Sequence, residues 1–135
     1  MNVELQYLLF TAILTGVLWI PVVIDYVKTR SLLTPVNYRS APTSELPDWV
    51  NRANRAHLNA VENFAPFAAV VLIAQLMDVS NALTVKCAAI FFFARLAHAL
   101  IHLSGIGFMM ARTIAFNAAW AAFMVYSILL LIRFF

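Results

Sequence analysis

Charged residues are scarce in this chain: Asp, Glu, Lys and Arg together make up 11% of its 135 residues, against 64% hydrophobic. That balance, with a mean hydropathy of +0.87, excludes an ordinary soluble domain and indicates a membrane protein. The formal net charge is only +3, too small and too scattered for a nucleic-acid partner. The single cysteine, Cys87, excludes an intramolecular disulfide, and its apolar surroundings read as those of a small buried side chain. No internal repeat and no low-complexity segment is found. No small-residue cleavage site follows the first apolar run, residues 5–24, which is also longer than the roughly 7–15 residues of a signal core. That run is expected to stay as a spanning helix.

Four stretches, residues 3–27, 48–77, 82–103 and 110–134, are long and apolar enough for membrane helices of roughly 20 residues. The expected fold is an all-α integral membrane protein, one four-helix transmembrane domain over residues 1–135. Antiparallel spans on short turns predict a left-handed bundle. Pro21 is expected to kink the first span. Residues 32–47 form the long loop, interrupted by Pro35, Pro42 and Pro47, and Asp48 is expected to cap the second helix. Asp78-Val79-Ser80-Asn81 reads as a turn and Ser104-Gly105-Ile106-Gly107 as a break. Lys28, Arg30, Arg39, Arg52, Arg55 and Arg112 gather toward one side of the membrane, against Lys86 and Arg133 on the other. Basic residues favour the cytoplasm, so both termini are expected on the non-cytoplasmic side. Phe91, Phe92, Phe93, Trp120 and Phe134 read as lipid-facing or interfacial bulk.

The second span carries the informative pattern. Arg52, Arg55, Asn59 and Glu62 are spaced three, four and three apart, so they share one helical face. Ionisable groups in a bilayer cost roughly 2.5–3.5 kcal/mol each on insertion scales and normally turn toward protein or a wet cavity. The third span repeats the pattern with Arg95, His98 and His102. Glu62 and Arg95 lie at comparable depth and are expected to pair. Two readings stay open. The polar groups either stitch the helices together, or they build a pocket. Arginines converging with Asn59 and histidines suit a ligand with carboxylates and peptide groups, because guanidinium forks clamp carboxylates. His98 and His102, one turn apart, with His57 as a third, invite a metal or haem. No cysteine or carboxylate completes such a pattern, and neither group is expected.

The run Arg55-Ala56-His57-Leu58-Asn59-Ala60-Val61-Glu62-Asn63, followed by Pro66-Phe67, resembles the signature of the MAPEG superfamily, membrane-associated proteins of eicosanoid and glutathione metabolism. Ala94-Arg95-Leu96-Ala97-His98, then His102, is similar to that superfamily's third-helix pattern. The resemblance implies a homotrimer with glutathione as co-substrate, bound between subunits near the cytoplasmic side. By matching position it implies glutathione contacts from Arg55, His57, Asn59 and Glu62, with Arg52 joining them. His98 and His102 would touch glutathione from the third helix, and Arg112-Thr113 from the start of the fourth. Lys28 or Arg30 would add a basic contact from the first. Arg112 would stabilise the glutathione thiolate. His102 and Phe116 stand where tyrosines are common in the superfamily. The implied activity is a membrane-bound glutathione transferase, with or without peroxidase activity, acting on a hydrophobic electrophile or lipid hydroperoxide. The alternatives are a non-catalytic protein of the same fold whose polar seam serves assembly or lipid binding, and, third, a small transporter or metal carrier.

Overall fold

A computed structural model describes residues 2–30, 46–105 and 109–134 of the chain. These form five α-helices: α1 (Val3–Val17), α2 (Ile20–Arg30), α3 (Asp48–Leu76), α4 (Ala82–Ser104) and α5 (Met109–Phe134). Together they provide four helical segments long and apolar enough to cross a membrane, Val3–Lys28, Asp48–Leu76, Ala82–Ser104 and Met110–Arg133.

The first crossing is two helices, where the sequence reads as one kinked helix. The break falls at Leu18 and Trp19, just ahead of Pro21. Proline has no N–H for the Val17 carbonyl, and its ring crowds that carbonyl, so the regular ladder fails one turn before it. The chain tightens instead: Trp19 N–H bonds the Gly16 carbonyl at 3.2 Å, and Val22 N–H bonds the Trp19 carbonyl at 3.1 Å. Trp19 therefore no longer serves Thr15, whose carbonyl would be its α-helical partner.

Asp48 is the first residue of α3, not its cap. Pro47 holds the cap position and makes no side-chain bond, while Asp48 sits in the first turn, where the helix dipole favours an acid. Pro66, inside α3, causes no break. Of the expected loop, Pro35, Pro42 and Arg39 lie outside the described residues, as do the side chains of Arg30 and Phe134. The turn between α3 and α4 is as the sequence suggests. Asp78 takes a positive φ of 52°, and Asn81 with Thr84 forms a reciprocal capping box. Gly105 ends α4 in the left-handed region at φ 68°, a conformation that glycine adopts without steric cost.

Core packing relies on small residues and close rings. α4 packs on α5, α3 and α1, and α2 packs on α3. Ala53, Ala56 and Ala60 of α3 are buried and let neighbouring backbones approach, as small residues do between membrane helices. Phe67 and Phe91 stack with centroids 3.8 Å apart and planes 8° apart. Phe91 is thus core rather than lipid-facing bulk, because its ring is covered by Phe67. Cys87 is buried in the same cluster as a free thiol. At one end of the bundle Glu4, fully buried in α1, accepts from Ser80 Oγ at 2.8 Å and Thr84 Oγ1 at 2.7 Å. Glu4 and Thr84 lie in the first turns of α1 and α4, whose positive dipole ends favour the carboxylate. This clasp ties α1 to the α3–α4 turn at the end remote from Gly105.

Candidate functional site

The helices bring six of the polar residues singled out in the sequence to one open groove of about 420 Å³. Arg55, Leu58, Asn59 and Glu62 line it from α3, His98 and His102 from α4, and Arg112 from α5. The spacing rule that placed Arg55, Asn59 and Glu62 on one face accounts for the α3 wall. Leu58 was not anticipated; it lies three residues after Arg55 and belongs to the same stripe.

Behind the groove is an arginine the sequence assigned to a different partner. Arg95 is buried, and its Nη2 donates to Asn59 Oδ1 at 2.7 Å. Glu62, by contrast, is exposed. Among the described residues no Glu62–Arg95 ion pair forms. Asn59, one turn nearer the start of α3, fills the place beside Arg95. A guanidinium only donates, so the Asn59 amide must turn its oxygen to Arg95 and its NH₂ elsewhere. Asn63 Nδ2 donates to the main-chain carbonyl of Asn59 at 2.8 Å. A buried charge thus fixes the orientation of an amide on the groove wall.

The histidines divide into two roles. His98 is buried, its Nδ1 makes no hydrogen bond among the described residues, and it meets His102 edge-on at a centroid distance of 5.7 Å. The Phe116 ring also lies near His98, at a centroid distance of 6.1 Å. His57 is not part of the groove lining. Its Nδ1 lies 3.0 Å from the Thr15 carbonyl, and its ring lies near Trp19. The histidine replaces the donor that Trp19 withdrew when the first crossing broke ahead of Pro21.

The remaining candidates lie around the groove or away from it. Arg52 is partly buried against the end of α4, so that a Cβ on Gly105 would come within 3.1 Å of its Cζ. Lys28 is exposed on α2 and does not line the groove, nor does the exposed Thr113. The side chain of Arg30 lies outside the described residues. Among the described residues no three His, Cys, Asp or Glu side chains gather as a metal site would require.

The groove therefore sets two guanidiniums, a carboxylate, two imidazoles and an oriented amide on the surface of a four-crossing helical membrane protein. A family model described as the MAPEG family matches residues 5–132, nearly the whole chain. The chain belongs to the MAPEG family. No curated protein and no solved structure gives a significant match to it.

Proposed function

We propose that this protein is a membrane-bound glutathione transferase that works as a homotrimer of left-handed bundles, with both termini on the non-cytoplasmic side. The observation that carries this reading is the composition of the groove. Arg55 suits a carboxylate of glutathione, Glu62 suits its α-amine, and the Asn59 amide, its oxygen held by Arg95, has its NH₂ to offer a peptide carbonyl. Arg52 stands close enough to assist. An unperturbed cysteine thiol has a pKa near about 8.5, and a neighbouring cation lowers it. Arg112 supplies that cation, and the thiolate attacks a hydrophobic electrophile or lipid hydroperoxide arriving from the bilayer.

The exposed side of α3 supports assembly through this helix. Arg55, Leu58, Glu62, Ala65, Ala69, Leu72 and Leu76 are all exposed on the subunit, and they follow one another at alternating steps of three and four. That is the repeat of a helix–helix seam, and two of its members are charged. Facing lipid, Arg55 and Glu62 would be costly. Facing another copy, they line a wet crevice between subunits.

Glutathione binding to the detergent-solubilised protein tests this function. Wild type is expected to bind, with Arg55→Ala and Glu62→Ala each weakening affinity at least tenfold, as loss of a charged partner implies. No binding by the wild type would overturn it. That result would favour the second reading, a non-catalytic member of the family, for which the Arg95–Asn59 bond between helices speaks.

A further inference from the structure

We infer that His102 is the proton acceptor for the thiol bound in the groove, and that Arg112 and His102 divide thiolate formation between them. This rests on the glutathione reading above. The cation sets how much thiolate exists at equilibrium; the imidazole sets how fast the proton leaves.

A guanidinium stabilises a thiolate but cannot take its proton, because it is always fully protonated. The proton needs an acceptor touching the groove. Among the described residues lining it, Glu62, His98 and His102 have that capacity. Two further requirements separate them: no other part in holding the ligand, and a route to water. His98 is buried, with the rings of His102 and Phe116 against it. Glu62 is taken up by the α-amine of the ligand. His102 lines the groove together with Arg112 of α5 and Arg55 of α3, and it is only partly buried. It alone meets both requirements. Imidazole is the side chain suited to accepting and then releasing a proton near neutral pH.

Around this imidazole stand Arg55 and Glu62 from α3, His98 from α4 and Arg112 from α5, all on the groove, with Arg52 of α3 nearby. The His98 ring meets His102 edge-on. The step balances simply. The S–H bond breaks, its electron pair stays on sulfur, and the proton passes to the unprotonated ring nitrogen of His102. The imidazolium then releases that proton to water. When sulfur attacks the electrophile, a carbon–sulfur bond forms and the leaving group departs with its own electron pair.

Stopped-flow absorbance of the thiolate after mixing solubilised protein with glutathione tests the assignment, because it reads rate and amplitude separately. His102→Gln is expected to slow thiolate appearance by about 10²-fold, the lower end of the usual general-base contribution, with little change in final amplitude or glutathione affinity. In His102→Ala, added imidazole should restore the rate in proportion to its concentration, which repair of a merely structural defect would not do. Equal rates in wild type and His102→Gln would overturn the role of His102, as would a rate lost in Glu62→Gln and kept in His102→Gln. Thiolate seen in wild type with either outcome leaves the transferase reading standing; no thiolate in wild type overturns that reading and this inference together.

Discussion

The ring of His57 bonds the main-chain oxygen of Thr15 across two helices at 3.0 Å. That oxygen needs a donor only because Pro21 breaks the first crossing and Trp19 turns to Gly16. His57 is therefore a repair to a helix interruption. Replacing it with leucine is expected to lower stability by about 1 kcal/mol, an ordinary hydrogen-bond contribution, and to leave glutathione affinity unchanged. Thermal melting together with a binding titration checks both parts; a selective loss of affinity would return His57 to the site.

Arg95 is buried, and one of its terminal nitrogens, Nη1, makes no hydrogen bond among the described residues. Its bond to Asn59 is thus its main polar support there. Arg95→Met is expected to free the Asn59 amide to rotate, weakening ligand binding although Arg95 does not line the groove. A double-mutant cycle with Asn59→Ala should give a coupling of roughly 1.5–3 kcal/mol, the range for hydrogen bonds to charged groups. Additive effects would show the two residues to be energetically independent.

For Arg112, exposed at the groove edge, the expected signature is a split between binding and turnover. Arg112→Ala should cut conjugation of a reactive aryl halide by about 10²-fold or more, the scale of losing one electrostatic stabiliser, while shifting glutathione affinity far less. Below neutral pH the gap should widen, because the mutant's bound thiol keeps its ordinary pKa of about 8.5 and the wild type's does not. Equal turnover across the pH range would remove Arg112 from the chemistry.

The α3 stripe predicts where copies meet. Cys87 is buried, so it does not compete with a thiol placed on the surface. Ala69→Cys, on the exposed stripe, is expected to form covalent dimers under mild oxidation in membranes. Ile90→Cys, exposed on α4, serves as the comparison and should cross-link far less. Equal cross-linking at both positions would argue against α3 as the seam.

The particular residues show how far the sequence reaches. Apolar run lengths defined four crossings, and helical spacing alone put Arg55, Asn59 and Glu62 on one wall, with His98 and His102 on another. Both walls meet in the groove. Periodicity states which residues share a face, since it depends only on the 3.6-residue turn. It does not state what that face meets. The exchange of Glu62 for Asn59 beside Arg95, the turning of His57 to Thr15 and the burial of Phe91 under Phe67 each depend on where a second helix lies. One of these was set by a proline some 36 positions earlier in the chain, Pro21 acting on His57. Residue type and spacing determined the crossings and the chemistry available to them; the packing of one helix on another decided which of those groups hold the bundle together and which are left free to act.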